Sequence, residues 1–193
     1  MKRIGLTGLV AGCLLFGTIA CEQKKEPVEE AQETNEEMAE GTAMEDQKQN
    51  LSDFMTKAAS GGMMEVELGK IAQKQGQSKQ VKDFGAMMVK DHTKANDELK
   101  ALASKKNIML PDSMGQDHMD KMKDVRDKKG AEFDEAYMDL MVSDHEEDVN
   151  MFEDASNNLE DAEAKAFASK TLTTLRMHLK QAQQIDSTMQ KKQ

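Results

Sequence analysis

The sequence predicts an all-α fold, an antiparallel four-helix bundle in which one longer crossover connection carries a short extra helix. First, the chain of 193 residues contains only two prolines, and its long stretches of Ala, Glu, Lys, Leu, Met and Gln favour helix. Second, apolar residues recur at alternating steps of three and four along four long stretches, which is typical of a buried helix face. Third, the breaks are tight within each pair of stretches and longer between the pairs, which indicates two helical hairpins.

The first two long helices are bounded by residues that commonly start and stop helices. The first is predicted over residues 52–75 and ends where Gly76 interrupts the apolar pattern. The second begins at Ser78, a good N-cap residue, and ends near Asn107. Because the break between them is short, the two helices are expected to lie antiparallel and in contact.

The second pair of helices follows a linker that contains Pro111. A short polar helix is predicted over residues 116–129, and the third long helix over residues 131–155. The fourth is capped by Asn158 or Asp161 and continues almost to the end of the chain. Since the chain has no Trp, one Tyr and six Phe, the core is expected to be aliphatic, with Met as a pliable filler.

Residues 1–20 have the pattern of a secretory signal peptide. Lys2 and Arg3 precede an apolar run that is too short to span a membrane comfortably. The run ends in Thr-Ile-Ala before Cys21, which resembles the cleavage box of a bacterial lipoprotein, whereas the box before Cys13 would leave apolar residues behind it. We predict that Cys21 carries a diacylglycerol and an acyl chain such as palmitate, the alternative being an ordinary cleaved signal. No cysteine would then remain for a disulfide or a thiolate metal site.

Residues 22–50 are predicted to form a disordered acidic tether between the lipid on Cys21 and a bundle domain at residues 51–193. The stretch holds ten acidic and three basic residues, and therefore most of the formal net charge of −10. It has almost no large apolar side chain whose burial could offset the entropy cost of ordering. So acidic a chain is not expected to bind nucleic acid.

Each long helix places one ionisable residue on its apolar face, namely Glu65, His92, His145 and His178. His92 and His145 each end a copy of the pentad Met-Val-x-Asp-His, at residues 88–92 and 141–145. Helical bundles build metal sites from polar groups that point into the seam between helices. With a rise of about 1.5 Å per residue, Glu65 and His92 come to similar heights in the first hairpin, because side chains lean toward the N-terminus of their own helix. His145 and His178 are related in the same sense across the second turn, but with a larger offset.

These four residues are the candidate ligands of one transition-metal ion. Three imidazoles and a carboxylate suit Zn, Fe, Mn or Cu, and Asp91 and Asp144 are candidates for orienting the ligands from outside. In the alternative interpretation, the buried histidines hydrogen-bond to carboxylates and only fix the helix register. The domain would then be a metal-free structural or interaction module.

Catalytic residues are not predicted. The chain has no Glu-x-x-His motif, which diiron bundles require on two helices, and no Ser-His-Asp or Cys-His arrangement. These absences argue against an enzyme, but enzyme status stays open. Met114, His118, Met119 and Met122 lie close together and would suit Cu(I). We interpret the methionines as core filler and His118 as exposed. Gly61-Gly62 is interpreted as a site of close helix packing and not as a phosphate loop.

Residues 52–190 resemble the bacterial family catalogued as domain of unknown function 4142. The resemblance rests on Ala58-Ala59-x-Gly61-Gly62-Met63-x-Glu65, on Phe133-Asp134-x-Ala136-Tyr137-Met138 and, most specifically, on Asp91-His92-Thr93-Lys94-Ala95-Asn96. It implies a ferritin-like helical bundle and an outer-membrane location, but no activity. Thr174 stands where the family pattern has a proline, which favours a straighter fourth helix.

We therefore expect a cell-envelope protein that is anchored in the outer membrane through Cys21 and faces the periplasm. Its expected role is to bind a transition-metal ion for storage, buffering or protection against stress. The expected partners are the membrane, through the lipid, and a second copy or another envelope protein.

Overall fold

The computed structural model describes residues 25–42 and 44–191, and this part of the chain is an all-helical bundle. It contains six helices: α1 (Pro27–Ala39), α2 (Glu45–Gln75), α3 (Lys79–Lys106), α4 (Gln116–Arg126), α5 (Gly130–Asn158) and α6 (Ala162–Gln190). The long helices α2, α3, α5 and α6 correspond to the four predicted stretches, and α4 to the short predicted helix. The all-α prediction is therefore confirmed.

Helices α2 and α3 form an antiparallel hairpin whose close approach depends on glycine. A Cβ atom at Gly69 would lie 2.7 Å from the carbonyl oxygen of Gly85, and one at Gly62 would lie 2.1 Å from Asn96 Oδ1. A Cβ at Gly69 would clash with backbone, so the helices can cross this closely only where that side chain is absent. At Gly62 the neighbour is the Asn96 side chain, which would have to move. The packing interpretation is confirmed for Gly62, whereas the neighbouring Gly61 faces α4 and α5.

Helices α5 and α6 form the second antiparallel hairpin. Arg176 pairs with Glu153 at 3.0 Å, and Gln183 donates a hydrogen bond to Glu146 at 3.5 Å, so that later residues of α6 meet earlier residues of α5. The two hairpins meet through contacts of α2 with α5 and of α3 with α6, and α4 packs on α2 and α5. The long connection between α3 and α5 thus places α4 over one side of the bundle.

The helix ends follow the capping residues in the sequence. The Ser78 hydroxyl and the Asp161 carboxylate each accept hydrogen bonds from two backbone N–H groups in the first turns of α3 and α6. Asp161, and not Asn158, is therefore the cap of α6. Asn107 ends α3 in the left-handed conformation, with φ of 53°, which asparagine tolerates better than most residues.

The prediction of a disordered tether is wrong for helix α1 and for the first turns of α2. Ala31, Asn35 and Ala39 recur every four residues and are buried, while the acidic residues occupy the outer face. The Asn35 side chain donates hydrogen bonds to Ser52 Oγ at 2.8 Å and to the Met109 carbonyl at 2.9 Å, and accepts one from the Met109 N–H at 2.7 Å. Helix α1 is therefore held against α2 by two buried alanines and the hydrogen bonds of Asn35, and not by large apolar side chains.

Two apolar clusters fill the bundle, and the four predicted ligands lie between them. One cluster centres on Phe54, Phe152 and Phe167, with the Phe54 and Phe152 rings 5.0 Å apart. The other contains Phe84 and Tyr137 together with many methionines, including Met64, Met88, Met138 and Met141. Along each long helix, the ionisable residue falls where one cluster ends and the other begins. The core therefore consists of two apolar regions separated by a layer of ionisable side chains.

The predicted signal peptide at residues 1–20 and the lipid site at Cys21 lie outside the described residues. Within the described ranges, none of the helices combines the length and apolar character needed to cross a bilayer.

Candidate metal centre

The structure brings the four predicted ligands together from four different helices. Glu65, His145 and His178 are completely buried, and His92 is 6% exposed. The centroids of the three imidazole rings lie 5.3–5.6 Å apart in each pairing. One nitrogen of each ring lies within 4.8 Å of the corresponding nitrogen of the other two. Regular steps of three and four residues on each helix are sufficient to place these side chains in a common layer.

Glu65 stands against two of the histidines. Its Oε2 atom lies 2.5 Å from His92 Nδ1, and its Oε1 atom lies 3.5 Å from His145 Nε2. Neither contact has hydrogen-bond geometry, and both carboxylate oxygens lack a hydrogen-bond partner among the described residues. The same is true of His92 Nε2, His178 Nδ1 and His145 Nε2. Buried polar atoms in folded proteins rarely lack a hydrogen-bond partner. The layer therefore contains nitrogen and oxygen atoms that are available to bind a ligand.

Burial sets the protonation of these groups. It lowers the pKa of His92, lowers the pKa of His145 well below its usual range, and lowers the pKa of His178 to about 4, where nearby His92 adds to the effect. The three imidazoles are therefore neutral at pH 7, the state that binds metal ions. Burial, followed by the nearby Asp144 charge, raises the pKa of Glu65 well above its usual range. A cation in this layer would favour the charged carboxylate.

Asp91 orients one histidine, as the sequence predicts. His178 Nε2 lies 3.1 Å from Asp91 Oδ2 and forms a hydrogen bond with it. Because this bond occupies Nε2, the free Nδ1 atom of His178 is left to face a ligand. A carboxylate on the far nitrogen of a metal-binding imidazole is the usual means of fixing its tautomer and orientation.

Asp144 does not hydrogen-bond to any histidine in the described part of the chain, contrary to its predicted role. Its Oδ1 atom accepts a hydrogen bond from Lys121 of α4 at 3.0 Å, and its carboxylate lies with those of Glu65 and Asp148, with one oxygen of each within 4.8 Å of the others. Asp148 is absent from the predicted set. It lies one helical turn after Asp144 and on the same face, a spacing that was available as a signal.

His118 is half-buried on α4 and not exposed as expected. Its Nδ1 atom lies 2.8 Å from Ser60 Oγ, which also accepts a hydrogen bond from the Gly115 N–H at 2.9 Å. Met114 and Met122 pack against the apolar core, which agrees with their interpretation as filler.

A narrow cleft connects the histidine layer to the surface. It lies between α3 and α6, has a volume of about 150 Å³, and is lined by His92 and His178 at its inner end and by Lys94, Glu98 and Lys170 further out. The cleft therefore extends from the surface to the edge of the histidine layer.

The profile of a family described as "Domain of unknown function (DUF4142)" matches residues 33–185. The chain belongs to this family. The match confirms the resemblance noted in the sequence, and it begins within α1, which agrees with the packing of that helix on α2. Membership of DUF4142 carries no activity with it.

Two crystal structures of DUF305 proteins have the same fold as this DUF4142 protein. The first, from Streptomyces coelicolor and described as a candidate secreted protein, has a TM-score of 0.60 and 12% identity over 72% of this chain and 93% of its own. The second, a fragment from Deinococcus radiodurans, has a TM-score of 0.64 and 10% identity over 72% of this chain and 95% of its own. At such identities the likeness concerns the fold alone. A search of the curated proteins finds no match.

Proposed function

We propose that this DUF4142 protein binds one transition-metal ion through His92, His145, His178 and Glu65. The observation that carries the proposal is the convergence of these four buried side chains from four helices, with most of their ligand atoms lacking a hydrogen-bond partner among the described residues. A layer of this kind costs folding free energy unless something occupies it, because unsatisfied polar atoms in a dry core are unfavourable. A bound ion would offset that cost.

The ligand set suits Zn, Fe, Mn or Cu, since imidazole nitrogens bind all four and the carboxylate supplies a harder oxygen donor. The role that fits a bundle with one such ion is storage, buffering or protection of the envelope against metal stress. In this proposal the four long helices take the ferritin-like arrangement, which is supported by two antiparallel hairpins and one long crossover.

The location forms the second part of the proposal. The chain would be held in the outer membrane through a lipid on Cys21, facing the periplasm, with the membrane as its first partner and a second copy or another envelope protein as a further one. The support is the lipoprotein-like box before Cys21 and the apolar run that precedes it. Replacing Cys21→Ser should leave an unprocessed or soluble protein. Unchanged partition of that variant with membranes would contradict the anchor.

The metal proposal is tested by elemental analysis and by thermal unfolding of the full chain. The wild-type protein should retain close to one equivalent of a transition metal, and a chelator should lower its Tm. The triple variant His92→Ala, His145→Ala, His178→Ala should lose the ion and the response to chelator.

His118→Ala is the matched control, because it also removes one imidazole but lies outside the histidine layer. It should keep the ion and the chelator response of the wild type. If the wild-type protein is free of metal and its Tm is unchanged in excess Zn, Fe, Mn and Cu, the metal proposal is wrong. The alternative interpretation, a metal-free structural or interaction module, is then correct.

A further inference from the structure

Two buried carboxylates and one half-buried carboxylate lie beside the histidine layer in an arrangement that folding alone disfavours. Oxygen atoms of Glu65, Asp144 and Asp148 lie within 4.8 Å of one another. Glu65 is completely buried and Asp144 is 3% exposed. Like charges at this separation, away from bulk water, repel one another. Within the described residues, Lys121 is the single cation that touches the group, through Asp144.

A second observation, from a residue that is not acidic, indicates that the carboxylates face a ligand. The completely buried His145 has no hydrogen-bond partner for Nε2 among the described residues, and this atom faces Glu65 Oε1 at 3.5 Å. Asp144 Oδ2 is also buried without a partner among these residues. One ring nitrogen and two carboxylate oxygens are thus buried near one another without a hydrogen bond in the described part of the chain.

The carboxylate group opens to the surface on the side opposite the α3–α6 cleft. A trough of about 810 Å³ lies between α4 and α5, with Asp144 and Asp148 among its lining residues. The lining contains two lysines and six acidic residues: Asp117, Asp120, Asp124, Asp144, Glu147 and Asp148. Such an excess of negative charge in a concave surface raises the local concentration of cations.

Lys121 spans this trough. Its ammonium group donates hydrogen bonds to Asp144 at 3.0 Å and to Glu147 at 2.7 Å. The ammonium therefore neutralises part of the carboxylate charge and competes with any cation for Asp144.

We propose that Glu65, Asp144 and Asp148 form a second cation site, which takes a hard divalent cation such as Mn²⁺ and shares Glu65 with the histidine site. Carboxylate oxygens are the donors that Mn²⁺, Mg²⁺ and Ca²⁺ prefer, in contrast to the nitrogen-rich site next to it. Lys121 acts as the resident counter-cation, which the entering ion displaces from Asp144. The second site does not require an ion at the three histidines. It can therefore be tested independently of the proposed function.

The test is a titration of the metal-stripped full chain with Mn²⁺, followed by the loss of the electron paramagnetic resonance signal of free Mn²⁺. The wild-type protein should bind one equivalent at the carboxylates, in addition to any Mn²⁺ that the histidine site takes. The double variant Asp144→Asn, Asp148→Asn should bind this equivalent at least about tenfold more weakly, because two charged ligands become neutral amides of the same shape. Asp120→Asn, which removes a charge from the trough but not from the cluster, is the matched control and should bind as the wild type does.

Two further variants keep the result interpretable. Lys121→Gln should bind Mn²⁺ more tightly than the wild type, an effect opposite in sign that a damaged fold would not produce. His92→Ala with His178→Ala should keep the Mn²⁺ equivalent while losing the transition metal of the histidine site. Mn²⁺ binding that is unchanged in the double Asn variant, or absent from the wild type, would overturn the second site, whatever the histidine variants show.

Discussion

The two copies of the pentad Met-Val-x-Asp-His, on α3 and α5, place the same residues in different surroundings. Asp91 of the first copy has a side chain 24% exposed and hydrogen-bonds to His178 of α6. Asp144 of the second copy has a side chain 5% exposed and is covered by Lys121 of α4. Both aspartates precede a buried histidine, yet one orients an imidazole and the other joins a carboxylate group. The neighbouring helix, and not the pentad itself, decides what the aspartate does.

The copies also differ one turn before the pentad, where α3 has Gly85 and α5 has Met138. A Cβ at Gly85 would lie 2.8 Å from both the Gly69 carbonyl oxygen and the Ala72 Cβ, while Met138 is completely buried in the core. Met138→Ala should lower the free energy of unfolding by about 2–5 kcal/mol, because it leaves a cavity. Gly85→Ala should lower it by about 1–3 kcal/mol through overpacking.

Urea unfolding of the two variants measures both losses. In an uncrowded helix, Ala in place of Gly is stabilising. A stabilised Gly85→Ala variant would therefore contradict the close approach of α2 and α3.

In the metal-free protein, the surroundings of the two pentads should respond to pH in opposite directions. Beside the first pentad, His178 has a pKa of about 4 when folded, against an ordinary value of 6.5, so between these values the unfolded chain binds the extra proton. Its contribution to stability is complete above pH 6.5 and is lost as the pH falls to 4, an effect on the order of 3 kcal/mol. Asp148, beside the second pentad, has a pKa raised by burial. Above pH 3.8 the Asp148 carboxyl therefore loses its proton in the unfolded chain before it does so in the folded chain. As a result, the free energy of unfolding decreases as the pH rises above 3.8.

Urea unfolding between pH 4 and pH 8 separates these two contributions. His178→Gln should remove a rise of stability with pH between 4 and 6.5, and Asp148→Asn should remove a fall of stability that begins above pH 3.8. Two variants that change the slope of stability against pH in the same direction would show that the pKa directions assigned to the two groups are wrong.

The two aspartates of the pentads should differ in their effect on the histidine site. Asp91→Asn should weaken Zn²⁺ binding about 10–100-fold, as is usual when the partner that orients a metal-binding histidine is lost. Asp144→Asn should leave Zn²⁺ binding at the histidines close to that of the wild type, because Asp144 touches Lys121 and not an imidazole. Competition with a chromophoric chelator measures both affinities. Equal losses in the two variants would mean that the pentads are equivalent after all.

The histidine layer could be predicted from the sequence because its position depends on helical periodicity alone. Glu65, His92, His145 and His178 each lie in a regular apolar stripe, and two tight turns set their relative heights. The start and end of α3 followed from Ser78 and Asn107 for a similar reason, since capping is a local property.

The parts that could not be predicted depend on contacts between distant segments. Helix α1 packs on α2 through Asn35 and two alanines, and a contact of this kind leaves no hydrophobic pattern in the sequence. The spacing of four residues from Asp144 places Asp148 on the same side of α5. It does not show that another helix covers that side, because Asp148 lies beside the apolar stripe and not in it. Its burial depends on where the crossover places α4, with Lys121 reaching across to Asp144.

The smallest difference concerns the starts of the two helices that carry the pentads. Ser78 caps α3 with its side chain, whereas Lys129, at the same position of α5, makes no side-chain cap. Ser78→Ala should therefore lower the free energy of unfolding by about 1 kcal/mol, while Lys129→Ala should change it by less. Urea unfolding of the two variants makes the comparison, and metal binding should stay the same in both because neither residue lies near the histidines. An equal loss of stability in both would mean that the start of α5 also depends on its cap residue, and the local contrast between the two helices would disappear.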